Sequence, residues 1–358
     1  MKTFEIYLIK LFLKKIINIT LVFLCLVFVL GVFEEVSFFK DWDLQVTFPF
    51  LMTLLSAPTT VFEIFPFIFL ISVQFFFIEL IDKNELDVFK YNGLNNIKII
   101  KLLSITSFLS GLMLIIFYYN ISSKMQFVYL DLKNKYSNDN KYLAVVTENG
   151  LWIKDEVDKN IYITNAEQIK ENYLEGVSIA KFNSEFDLIQ LIESAKVDIS
   201  KKKWVVFNPR ISIGNETLEN VMIYELTTNF NKKKITGLFR NLSSLNILQL
   251  YKLKKDYQSL GYSTKAVNSH INKLISFPFY ITIMSVLSSI IMLNIKRNKP
   301  LIFHIIVGIF LSVVIYYFNF LINLLGENGN IPISLSTWLP LIMLTFVIFI
   351  GLVRVNEK

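Results

Sequence analysis

The stretch IINITLVFLCLVFVLGVF, residues 16–33, decides what kind of protein this is. It contains no charge, and only Asn18 and Thr20 interrupt its aliphatic and aromatic side chains with polar ones. The hydrocarbon core of a bilayer is about 30 Å thick, which takes roughly 20 helical residues at about 1.5 Å each. The stretch therefore predicts a membrane-spanning helix. Basic residues before an apolar run also suit a secretory leader. Phe33-Glu34-Glu35-Val36 offers no small-residue cleavage site, so the expectation is an uncleaved first span.

Five more runs satisfy the same requirement. The second covers about 60–81, with Pro58 and Pro66 at or near its start and Glu63 and Glu79 towards its ends. The third is 102–121, and after a long polar stretch come 271–295, 301–325 and 337–353. Composition agrees: of 358 residues, 53% are apolar and 18% charged, against about 45–50% and about 25% in soluble domains. The expected fold is an α-helical polytopic membrane protein, six transmembrane helices in a 3+3 arrangement around an inserted domain. Residues 1–121 hold helices 1–3, 122–270 the insert and its linker, and 271–358 helices 4–6.

The net charge of +7 is a topology signal rather than a nucleic-acid one. One side's short loops and ends carry Lys2, Lys10, Lys14, Lys15, Lys83, Lys90, Lys98, Lys101, Lys296, Arg297, Lys299, Arg354 and Lys358. The other side's short loops, 34–53 and 326–336, carry only Lys40, beside Glu34, Glu35, Asp41, Asp43 and Glu327. Lys and Arg stay on the cytoplasmic side, so both termini are expected there and the insert outside. The single cysteine, Cys25, excludes an intramolecular disulfide. Leu24 before it does not suit a lipid-attachment site.

Within the insert the pattern changes to short β-type runs at 143–147, 151–153, 161–164, 177–182, 188–192, 195–199, 204–207 and 221–226. Turn material lies at Asn149-Gly150, Asn183-Ser184 and 200–203. Regular short strands predict an all-β sandwich or jelly roll, followed by a partly helical linker over 241–268. Two readings stay open: a binding module with a filled core, or a split sandwich whose interior carries an apolar ligand.

Catalytic patterns are missing. No P-loop, G-x-G-x-x-G, H-E-x-x-H or C-x-x-C occurs. His270 and His304 fall at opposite ends of spans and read as interfacial polar residues, so no metal ligands are assigned. The chain is expected to be no enzyme and to bind no cofactor directly. The most informative short segment joins the second and third spans. Leu86, Phe89 and Tyr91 with Glu85 and Lys90 make a short amphipathic helix over about 82–93, with Gly93 as its stop. Periodicity allows an interfacial anchor and a helix docking into a cytoplasmic partner equally.

At this point the residues resemble a known family, the lipopolysaccharide export permeases LptF/LptG (YjgP/YjgQ). Asn84-Glu-Leu-Asp-Val-Phe-Lys-Tyr-Asn-Gly93 is similar to the family's S-E-L-x-x-x-x-x-x-G coupling helix. Gly150-Leu-Trp-Ile-Lys-Asp155 resembles the G-L-W-x-[KR]-D that opens the periplasmic domain of its LptG branch. Ile179-Ala-Lys-Phe-Asn, Ala195-Lys and Lys203-Trp204 lean the same way. His270-x-x-Lys273 through Pro278, and Leu325-Gly-x-x-Gly329 with Trp338-Leu-Pro340, resemble the last three spans.

The resemblance implies one half of the membrane part of an ABC transporter in a Gram-negative inner membrane, with the β domain in the periplasm. It implies an LptF-like permease as partner, a cytoplasmic LptB-like ATPase dimer using ATP and Mg, and LptC/LptA-like periplasmic proteins. Lipopolysaccharide would enter between first and fifth spans. Glu85, Leu86, Phe89 and Gly93 would form the ATPase-coupling helix. Leu24, Phe28, Phe33 and Lys40, with Phe310, Val314 and Tyr317, would line the substrate cavity and lateral gate. One departure stands out: where the family places basic residues at the outer end of the first span, this chain has Glu34 and Glu35, which would repel phosphate. Rival readings are another ABC-type lipid or lipoprotein exporter, and a non-transport membrane scaffold with an outward β domain.

Overall fold

The computed structural model describes residues 3–40, 42, 44–45, 47–91, 93–136, 151–157, 160–170, 172–214, 216–218, 221–230, 232, 235, 241–259, 263–294 and 300–356. The expected strand at 143–147, the turn at Asn149-Gly150 and the basic run at 296–299 lie outside them. The chain divides into two compact units, Met1–Tyr129 with Lys265–Lys358, and Leu130–Thr264.

The helical unit is built on α1 (Thr3–Phe38) and α2 (Thr47–Asp82), then short α3 (Glu85–Tyr91). Next comes α4 (Asn96–Met113), continued by a π-helical segment (Leu114–Tyr119) into α5 (Asn120–Lys135). After the β unit and α6 (Ile247–Ser259) come α7 (Lys265–Leu293), α8 (Leu301–Glu327) and α9 (Ile333–Asn356). Among the described residues, six helical stretches are long and apolar enough to cross a membrane. With no water in hydrocarbon to satisfy backbone groups, helices are the form such runs take.

The helices outrun the apolar windows that announce them. Each of α1 and α2 has 36 residues, about 54 Å at 1.5 Å per residue. Two sequence readings change as a result. Pro58 and Pro66 are inside α2, not at its start. Glu34 and Glu35 are in α1, not in a loop. The polar flanks continue each helix because the backbone ladder, not side-chain polarity, sets where it ends.

α2 and α7 form the centre of the bundle, and both are largely buried. A core of Leu70, Ile71, Ile100, Met284, Leu287, Ile315 and Ile348 joins α2, α4, α7, α8 and α9. Lipid tails are as apolar as leucine, so close packing and interhelical hydrogen bonds hold such helices together. α7 supplies both. Ser285, Ser288 and Ser289 are fully buried. Ser107 Oγ donates to Ser285 Oγ at 2.8 Å, and Ser288 Oγ donates to the Leu70 carbonyl at 2.7 Å. A Cβ at Gly111 would stand 2.9 Å from Pro278 Cα, so α4 and α7 approach almost backbone to backbone there.

The inserted unit is antiparallel throughout: β1 (Leu151–Val157), β2 (Asn160–Lys170), β3 (Tyr173–Phe182), β4 (Leu188–Asp198), β5 (Lys203–Phe207), β6 (Arg210–Ile213), β7 (Glu216–Leu218) and β8 (Ile223–Thr227). They join in one sheet ordered β1-β2-β3-β4-β5-β8, with β6 on β4 and β7 on β6. The sheet forks at β4. Leu191–Glu193 pair with β6, and Lys196–Asp198 pair with β5. The two runs read as separate strands at 188–192 and 195–199 are this single strand, and β6 and β7 had no announced counterpart. Register sets the faces, since successive side chains alternate. Ile153, Thr164, Ile179, Ile192 and Ile211 lie side by side across five strands, and all are buried.

Candidate functional site

The loop between α2 and α3 is shaped by Asn84 in the left-handed region, at φ 55°. Asn tolerates that region better than most residues. α3 then runs for seven residues. Gly93, at φ 83°, stops it, and Leu94 N–H donates to the Phe89 carbonyl at 3.0 Å, closing the helix end. Asn95 caps α4 by accepting from Lys98 N–H at 3.1 Å.

Three faces of α3 have different surroundings. Leu86 is buried, and α3 packs on α2. Glu85 and Phe89 are half-buried and face the first helix. Tyr7 Oη donates to Glu85 Oε2 at 2.7 Å, and the Tyr7 and Phe89 rings meet at 6.3 Å between centroids. Val88 and Tyr91 point outward, Tyr91 being 91% exposed. Periodicity had assigned Tyr91 to the apolar face, and had given no notice of Val88. A seven-residue helix has under two full turns, so which apolar residues are anchors is decided by neighbours.

Just before this turn, Glu79 accepts from Lys15 at 2.6 Å and from Lys83 at 2.7 Å. The hydrogen bond to Glu79 raises the Lys83 ammonium above its ordinary pKa.

The expected gate residues sit on two helices. On α1, Leu8, Leu11, Phe12 and Ile16 are buried near the start, with Phe12 edge-on to Phe69 and Phe76. Beyond them the helix is mostly open. Leu24 and Phe28 are half-buried, Phe28 facing Phe50 at 6.3 Å. Phe33 and Lys40 are exposed. Phe310, Val314 and Tyr317 lie on the exposed face of α8. α1 packs along α2, and α8 packs on α2, α7 and α9. The two sets thus occupy separate open faces rather than a shared pocket of this chain.

Several polar contacts had no local signal. Glu35 is buried, and Tyr129 Oη donates to its Oε1 at 2.7 Å. Only Glu34 of the two outer carboxylates is exposed. Gln74, fully buried, donates to the His304 carbonyl at 2.9 Å. His304 itself is buried, near the start of α8. His270 Nε2 lies 2.9 Å from Tyr119 Oη in the π-helical segment. Glu327 accepts from Ser269 and Lys273, both at 2.9 Å. Among the described residues no group of three or more His, Cys, Asp or Glu is placed to hold a metal.

On the β unit, Asp155 is the last residue of the Gly150–Asp155 motif, whose Gly150 lies outside the described residues. Its buried carboxylate accepts from Thr228 Oγ1 at 2.6 Å, Asn229 N–H at 2.8 Å and Asn229 Nδ2 at 2.9 Å. Trp204, fully buried, donates to the Phe230 carbonyl at 3.0 Å. Both tie the segment after β8 onto the sheet. A cleft of about 840 Å³ beside the fork is lined by Asn165, Ser178, Glu193, Asn208 and Arg210 among others. Asn165, Ser178, Glu193 and Arg210 are cross-strand neighbours one residue out of step with the apolar row. The cleft therefore opens on the polar face of the sheet.

A 3+3 helical bundle with an antiparallel β insertion, open apolar faces on its first and fifth spans and a short helix on the turn between the second and third defines a multi-pass membrane protein of the permease type. The chain belongs to the lipopolysaccharide export system permease LptF/LptG family, whose model matches residues 6–354. It is accordingly an inner-membrane protein and a transport component. A search of curated proteins returns no match.

Proposed function

We propose that this chain is the LptG-type half of the membrane part of an ABC transporter, which extracts lipopolysaccharide and passes it to a periplasmic bridge. It pairs with an LptF-like permease, and a cytoplasmic LptB-like ATPase dimer supplies the energy with ATP and Mg. Both termini and α3 are cytoplasmic, in keeping with the thirteen basic residues of that side. The β unit is periplasmic. Lipopolysaccharide enters between the first span of one permease and the fifth of the other, along Leu24, Phe28, Phe33, Phe310, Val314 and Tyr317. Lys40 contacts the head group. β1, which ends the sheet order, lies on the side where an LptC/LptA-like protein joins by strand addition.

The observation that carries this reading is α3. A short helix fixed at both ends by left-handed residues, seated through Leu86 and presenting Val88 and Tyr91, suits a groove on a soluble partner. Glu85 supplies its acidic contact. Losing one charge-assisted contact weakens an interface by about tenfold. Glu85→Ala should therefore recover about tenfold less ATPase on purification, with membrane insertion intact. Normal ATPase content and normal export in that variant would refute the coupling assignment. For the substrate path, a photo-crosslinker at Phe33 should capture lipopolysaccharide, and one at buried Phe12 should not. Equal capture at both sites would remove the first span from the path.

A further inference from the structure

We propose that Tyr7 is a positioning residue that latches the coupling helix to the first span, so that movement of α3 is delivered directly to α1. The inference rests on α3 being the ATPase-docking element.

α3 is covalently strung between α2 and α4, and a push on it would by default pass to those two helices. The geometry adds a third route. Tyr7 is 78 residues from Glu85 in the chain, yet its Oη donates to Glu85 Oε2 at 2.7 Å. Its ring also lies against Phe89 at 6.3 Å. Glu85 and Phe89 are one helical turn apart, so Tyr7 grips a single face of α3 at two points. A phenol donating to a carboxylate makes a charge-assisted bond, stronger than one between neutral partners. The flanking left-handed residues, Asn84 and Gly93, set α3 off from α2 and α4 by a sharp turn on each side.

What Tyr7 would move is also defined. The next residue, Leu8, is fully buried, as is Phe12 one turn further on. The Lys15–Glu79 ion pair at 2.6 Å ties the same part of α1 to the end of α2. Beyond Ile16 the helix presents Leu21, Val22, Leu26, Val29, Leu30 and Phe33 on exposed apolar surface. α1 is therefore anchored by buried side chains in its inner third, while further out one face packs along α2 and the other stays open, so a displacement at Tyr7 is carried into that open face. Tyr7 and Glu85 are both partly open to solvent, so the latch is weak enough to be made and broken in a cycle.

The test compares Tyr7→Phe, which keeps the ring contact and loses the hydroxyl, with wild type in the complete complex in nanodiscs. Amide exchange over residues 85–91 should quicken by about threefold. ATPase recovered per permease should stay unchanged, while lipid released per ATP hydrolysed should fall by about threefold. Tyr7→Ala should deepen both effects. A purely structural role would lower thermal stability without changing lipid released per ATP. Unchanged exchange over 85–91 would overturn the latch. Faster exchange with unchanged lipid per ATP would overturn its part in coupling, and loss of ATPase from Tyr7→Phe would make Tyr7 a docking residue instead. If wild type itself retains no ATPase, the reading of α3 fails and the coupling role with it; the exchange measurement still decides whether Tyr7 holds α3.

Discussion

Asp155 and Glu35 show how far a carboxylate's role depends on residues it cannot see along the chain. Asp155 ends a motif legible in the sequence, but its partners Thr228 and Asn229 are more than seventy residues away. Replacing it with Ala strips three hydrogen bonds from a buried site and orphans their donors. Asp155→Ala should lose about 3 kcal/mol, read in the full-length protein as earlier thermal unfolding and faster proteolysis of the β unit. Stability within about 0.5 kcal/mol of wild type would show that Asp155 is not needed to hold the segment after β8. Glu35 looks from the sequence like an obstacle to an anionic lipid. Its burial beneath Tyr129 turns it into a brace between the first helix and α5.

At the scale of elements, two glycines set geometry that no other residue supplies. Gly93 has φ 83° and open space where a Cβ would stand, so the penalty for a side chain is conformational. Gly93→Val should cost about 1–2 kcal/mol and loosen the end of α3, while Gly93→Asn should be milder. Equal exchange rates over 85–91 in both variants would show that the turn does not need the left-handed residue. Gly111 lies against the backbone of Pro278, which cannot move aside as a side chain can. Gly111→Val should destabilise the helical unit by about 1–3 kcal/mol, seen as a lower Tm in detergent. An unchanged Tm would mean that α4 and α7 can separate freely. The strands were less legible than the helices: β4 was split in two because Glu193 and Ser194 interrupt its apolar run, though the strand continues through them. β6 and β7, of four and three residues, are too short for alternation to register.

For the whole molecule, orientation is the testable quantity. In a Cys25→Ser background, Met222→Cys on the β unit, 81% exposed, should react with a membrane-impermeant maleimide added outside spheroplasts. Tyr91→Cys should react only after permeabilisation. Labelling of both from outside, or of neither, would overturn the proposed topology.

By itself the sequence determines six spans, the place of the insertion and the short amphipathic helix. A charge-free run of about twenty residues has one stable form in hydrocarbon, and local patterning is enough to reveal it. Only the tertiary structure decided that Glu35 is braced inward, that Glu85 and Phe89 face Tyr7 while Val88 and Tyr91 are exposed, and that the sheet forks at β4. The first two rest on contacts between residues 94 and 78 positions apart, and the fork on pairing of β4 with both β5 and β6. Hydropathy and periodicity report only a residue's near neighbours, whereas burial and pairing are properties of whatever the folded chain places beside it.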